Sequence, residues 1–113
     1  VQALEGRRDE FVLVTKSFMR LGTTGPHDVG LSRKYLIKAC EASLRRLRTD
    51  YIDLYIGHEP DSFVSLDETM QGYDDLVRAG KVRYVGCSNN SAWQVMKALA
   101  VSDRRGYVRY VCQ

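Results

Sequence analysis

Apolar runs of strand length alternate along this chain with segments of helical periodicity. Phe11-Val12-Leu13-Val14-Thr15 is a continuous, largely β-branched run, as expected of a buried strand. A Gly-rich loop follows from Gly22 to Gly30, with Pro26 and His27 inside it. Ser32 is placed to cap a helix whose inward face is Leu36, Cys40, Leu44 and Leu47. Arg45, Arg46 and Arg48 fall in its last turn, where cations favour the helix dipole. Tyr51 to Gly57 reads as a second strand, and Pro60-Asp61 begin a turn. Ser65 and Glu68 have capping-box spacing and open a helix that faces inward with Leu66, Met70, Tyr73 and Val77. Gly80 sits where a C-terminal glycine belongs. Val82 to Gly86 reads as a third strand. Asn90 or Ser91 caps a third helix with Trp93, Met96 and Leu99 or Ala100 inward. Gly106 ends that helix, and Tyr107 to Cys112 reads as a fourth strand. The order βαβαβαβ predicts an α/β fold of parallel strands joined by right-handed crossovers.

Composition narrows the picture. At 113 residues the chain suits one domain, and 44% hydrophobic with 27% charged residues is ordinary for a globular protein. The net charge of +3 is spread in short clusters such as Arg7-Arg8 and Arg104-Arg105, interleaved with acids. That is a solvated surface and not the dense basic stripe of a nucleic-acid face. Three cysteines without a C-x-x-C spacing support neither a zinc site nor a disulfide framework, so no metal is expected and the setting expected is a reducing cytoplasm. No apolar run is long enough to cross a membrane, and the polar first ten residues do not read as a signal peptide. A start at Val1 and a stop at Gln113, directly after a strand-like run, suggest a piece of something longer.

Parallel α/β folds build their sites at the carboxyl ends of the strands. Lys16 follows the first strand, His58 the second, Ser88 and Asn89 the third, and Gln113 the fourth. One amine, one imidazole, one hydroxyl and two amides would share one face. A Lys supplies fixed charge or lowers a neighbour's pKa, and a His orients a substrate oxygen. Asn and Gln pair with a flat amide such as a nicotinamide carboxamide. The set points toward hydride transfer involving a carbonyl. Taken one at a time, each has a plainer reading: a surface Lys, a turn His, an N-cap cluster at Ser88-Asn89-Asn90, a terminal Gln. Gly22-Thr23-Thr24-Gly25 is not a dinucleotide fingerprint. Trp93 and the methionines, at helical spacing, read as core.

Three segments resemble the aldo-keto reductase family. Phe11 to Lys16 resembles the strand that ends in the catalytic Lys. Thr49-Asp50-Tyr51-Ile52-Asp53-Leu54-Tyr55, followed by His58, Pro60 and Asp61, resembles the T-D-Y-I-D-L-Y and H-x-P-D motif. Leu76 to Asn89 resembles L-V-x-x-G-K-V-R-Y-x-G-x-S-N. The match covers nearly the whole chain in order and spacing, and the segment Gly30 to Lys34 looks most like bacterial members. The resemblance implies a partial (β/α)8 barrel over residues 1–113, about four parallel strands and three helices, without the first two and last two barrel strands. It implies reduction of aldehyde or ketone carbonyls with NADPH, or NADH. Lys16 and His58 correspond to the Lys and His of the family's Asp-Tyr-Lys-His tetrad. Ser88, Asn89 and Gln113 correspond to the residues that hold the nicotinamide. The tetrad's Asp and Tyr belong to a D-x-A-x-x-Y-G segment that these residues do not contain, so the isolated chain is expected to be inactive.

The expected partners are a small carbonyl substrate and, through open sheet edges and an uncovered apolar face, other copies of the chain. Neither nucleic acid nor membrane is expected. The alternatives are a non-catalytic regulatory or interaction protein on the same fold, as in potassium-channel β subunits, a truncated product without function, and a small doubly wound domain.

Overall fold

The computed structural model describes residues 4–18 and 29–113. After a short 3-10 turn at Arg8–Glu10 the elements run β1 (Val14–Ser17), α1 (Arg33–Leu47), β2 (Ile52–Gly57), α2 (Leu66–Arg78), β3 (Val82–Cys87) and α3 (Ala92–Arg105). The strands form one parallel sheet in the order β1-β2-β3. α1 lies against α2 and α2 against α3, while α1 contacts β1 and α2 contacts β3. The predicted loop from Gly22 to Gly30, with Pro26 and His27, lies outside the described residues except for its end at Val29 and Gly30.

The core forms where the helices meet the sheet. Leu36, Cys40 and Leu44 of α1, Met70, Tyr73 and Leu76 of α2, and Ile52, Tyr55, Val82 and Val85 of the sheet are buried together. Each large side chain removed from water there contributes about 1.5–3 kcal/mol. The predicted faces of α1 and α2 are thus the observed ones, with Leu47, Leu66 and Val77 only partly covered. Buried residues in β2 and β3 recur three apart, Ile52 with Tyr55 and Val82 with Val85, where strict alternation would give two. The register passes from Ile52↔Val82 to Leu54↔Tyr84, and the successive N–H groups of Asp53 and Leu54 both donate to Leu13 O at 3.1 Å. The pairing offset stays constant along the strands, so the irregularity is the shared acceptor at Leu13 and no residue is inserted.

Several expectations change. The first strand is shorter and later than predicted: β1 begins at Val14, and Phe11 and Val12 are exposed. Lys16 accordingly sits inside β1. The capping box at Ser65 is half made. Ser65 Oγ accepts from Glu68 N at 3.2 Å, but the Glu68 carboxylate accepts from Arg33 N at 3.0 Å. A carboxylate at the positive end of α1 is favourable, and here it ties two helices together. The fourth strand is reduced to one bridge, Val85↔Tyr110. The reason lies at Val108, whose N–H donates to Asp74 Oδ1 and whose carbonyl accepts from Ser102 Oγ, both at 2.8 Å. With both main-chain groups taken by side chains, only Tyr110 to Cys112 run beside β3.

The third helix is turned relative to its predicted face. Trp93 and Met96 are 66% and 65% exposed, and α3 buries Ala98, Val101 and Ser102 instead. Small residues let α3 approach its neighbours, Ser102 holds Val108, and Asp67 of α2 pairs with Arg104 and Arg105. Ser91 is its cap, with Ser91 N donating to Gln94 Oε1 at 2.7 Å. Cys40 and Cys87 are buried as small core residues, whereas Cys112 is exposed.

Candidate functional site

The register sets the geometry at the carboxyl ends. Ser17 aligns with Gly57 and Gly57 with Cys87, so Lys16 lies one residue before that level, and His58 and Ser88 lie one residue beyond it. His58 is held at both main-chain groups: its N–H donates to Ser17 O at 2.8 Å, and its carbonyl accepts from Asn89 Nδ2 at 2.7 Å. Asn89 reaches back in this way with a left-handed backbone, φ 59°. Asn tolerates that conformation better than most residues because its short polar side chain bonds locally. The bond leaves Asn89 Oδ1 as an acceptor.

Lys16 and His58 border one cavity of about 90 Å³ with Ser17, Tyr35, Ala39 and Arg46. Gln113 Nε2 donates to Asn90 O, which places the terminal amide beside the turn that carries Asn89. Ser88 is half-buried at the end of β3. Of the five predicted residues, Lys16 and His58 line one cavity and His58 is bonded to Asn89, while Gln113 is tied to Asn90 and Ser88 is joined to none of the others by a hydrogen bond among the described residues. No hydrogen bond joins Lys16 to Ser88 or Gln113 among the described residues.

Sequence reasoning missed what lies beneath. Ser17, Tyr55 and Tyr73 are almost fully enclosed on the helix side of the strand ends, and none of their hydroxyls has a partner at full hydrogen-bond geometry. Burial drives both phenols far above their usual pKa, and the nearby Ser17 hydroxyl opposes that only in part. The Tyr73 ring meets Tyr55 and Tyr110 edge to face, with centroids 6.2 and 6.1 Å away. The phenols stay neutral and wedge the strands that carry Lys16 and His58 against α2. Strict alternation from Ile52 would turn Tyr55 outward, and only the fold reveals that it is buried with Tyr73 and Ser17.

Asp61 is a second omission. The motif contains it, yet its work here is local: Oδ2 accepts from Leu31 N and Oδ1 from Phe63 N, both at 2.9 Å. It staples the loop after β2 to the start of α1. The loop before α2 and the first turns of α3 enclose a second depression of about 610 Å³. A third, of about 460 Å³, lies among Val12, Leu54, Tyr84 and Val111 on the sheet face away from the helices.

The chain matches the Aldo/keto reductase family over residues 1–113. It is 38% identical over 104 residues to a Schizosaccharomyces pombe protein that carries the name of a voltage-gated potassium channel subunit beta, covering 92% of this chain and 30% of that protein. It is 42% identical over 113 residues to the norsolorinic acid reductase stcV of Emericella nidulans, covering 96% and 29%. It is 37% identical over 110 residues to the uncharacterized oxidoreductase YrpG of Bacillus subtilis, covering 95% and 34%. The chain thus spans about a third of the length of these relatives. With parallel strands joined by helices and a family match running its whole length, the chain belongs to the aldo/keto reductase family.

Proposed function

We propose that this chain is the central part of a (β/α)8 reductase, residues 1–113 forming barrel strands three to six, that reduces aldehyde or ketone carbonyls with NADPH or NADH. The observation that carries the reading is the linked group at the strand ends, within a chain of reductase family. Its donors and acceptors fit a nicotinamide carboxamide. Asn89 and Gln113 each spend the amide nitrogen on a main-chain carbonyl and keep an oxygen, while Ser88 keeps a hydroxyl. Two acceptors and one donor complement one NH2 and one C=O. When bound, the reduced nicotinamide supplies the hydride.

The chain's own residues orient and polarise. His58, fixed at N and O, donates from its ring to the carbonyl oxygen and sets the angle at which that carbon is presented. Lys16 supplies positive charge beside it and favours ionisation of the group that protonates the oxygen. Ser17, Tyr55 and Tyr73 keep the two strand ends at their spacing. By family resemblance the proton donor is a Tyr outside these residues, and losing a general acid costs about 10²–10⁴-fold, so the short chain alone is inactive. Copies of it associate through the open sheet.

The test is carbonyl-dependent NADPH oxidation by the full-length protein carrying this segment, with His58→Ala and Lys16→Met. Both variants should lose about 10²-fold or more in kcat. Unchanged turnover in both would refute the roles. A second reading, a non-catalytic interaction subunit, is favoured by the channel-subunit name of the Schizosaccharomyces pombe relative. Absence of turnover in the full-length protein, together with a stoichiometric co-purifying partner, would establish it instead.

A further inference from the structure

The depression between the β2–α2 loop and α3 differs from the other two. The cavity at Lys16 borders the open edge of β1, and the one at Tyr84 lies on the bare sheet face. Both flanks of this second depression come from the chain itself. Its walls are Leu31, Leu66 and Tyr110 within, with Phe63 and Trp93 at the rim. Those two aromatic side chains are 98% and 66% exposed. Its volume of about 610 Å³ is that of a small-molecule site.

Two charged residues line it, Asp61 and Lys97, and they differ in how they are engaged. Asp61 has both carboxylate oxygens occupied by main-chain N–H groups. Ser65 Oγ serves α2 and Gln94 Oε1 serves α3 as caps. Lys97 lines the groove with no hydrogen bond or ion pair among the described residues, although Arg104 and Arg105 on the same helix are both paired. An ammonium group beside two uncovered aromatic rings complements a flat, apolar anion.

We propose that this groove binds a small planar aromatic carboxylate, its ring against Phe63 and Trp93 and its carboxylate toward Lys97. Asn90 also lines the groove, and its carbonyl holds Gln113, so the bound ring lies next to the strand-end group. Binding here does not depend on hydride transfer there.

Trp93 is the single tryptophan of the sequence, so its emission reports on the groove alone. The chain is titrated with naphthalenecarboxylate and, separately, with the uncharged carboxamide. Saturable quenching of Trp93 is expected, roughly fivefold weaker for the carboxamide and for Lys97→Glu. Phe63→Ser should weaken both ligands. Phe63 and Lys97 are exposed, so these variants keep the parent fold. Val12→Ser, on the bare sheet face, should leave affinity unchanged. A Trp93 response that does not saturate, that is equal for acid and amide, or that survives both Lys97→Glu and Phe63→Ser overturns the proposal.

Discussion

At Gly30 the chain has a φ of 95°, and a Cβ built there would stand 2.3 Å from Asp61 Oδ2. An alanine must either displace the carboxylate that holds Leu31 and Phe63 or force a backbone that side chains rarely adopt. Gly30→Ala should therefore cost about 1–3 kcal/mol, read from the urea midpoint. Asp53 makes a second residue-level case. Burial works against its charge, but the Leu13 N–H and the Arg8 guanidinium, both at 2.8 Å, outweigh it and hold its pKa below the usual carboxylate value. A depressed folded pKa gives stability that is complete above the unfolded value of about 3.9 and lost as pH falls through the folded one. Asp53→Asn should flatten the acid side of the stability curve below about pH 4 and leave the shape near neutrality unchanged. Equal acid slopes for both proteins would remove Asp53 from the account.

Among the elements, α3 shows how an apolar pattern misleads. Trp93 and Met96 carry more hydrophobic surface than Ala98 and Ser102, so periodicity turns the helix to the wrong side. Packing chose the small residues because α3 must come close to α2 and give Ser102 to Val108. Trp93→Ala should change stability by no more than about 0.5 kcal/mol, whereas Ala98→Leu should cost about 1–3 kcal/mol by overfilling a closed contact. The reverse order in thermal melts would return Trp93 to the core. α1 and α2 were legible because their apolar stripes coincide with their tightest contacts. The second half of the Ser65 cap was not, since Glu68 is used by a helix distant in sequence.

For the molecule as a whole, the sheet face away from the helices carries exposed apolar side chains. Val12, Val14, Tyr84 and Val111 stand 48–78% exposed there. Apolar surface of this kind drives association. The chain should show concentration-dependent sedimentation, and Val12→Asp with Tyr84→Asp should shift it toward monomer. A monomer at all concentrations before mutation would show that the face needs no cover.

Local pattern determined the alternation of strands and helices, most caps, the inner faces of α1 and α2, and the strand-end positions of His58, Ser88 and Asn89. These depend on residues a few positions apart, where spacing maps directly onto one face or one end. Tertiary structure alone decided the rest: the turn of α3, the capture of Val108 by Asp74 and Ser102, the meeting of Ser17 with Tyr55 and Tyr73, and the groove beneath Phe63 and Trp93. Each joins side chains from separate elements. Hydrogen-bond satisfaction and close packing choose such partners among many that the sequence leaves equally open.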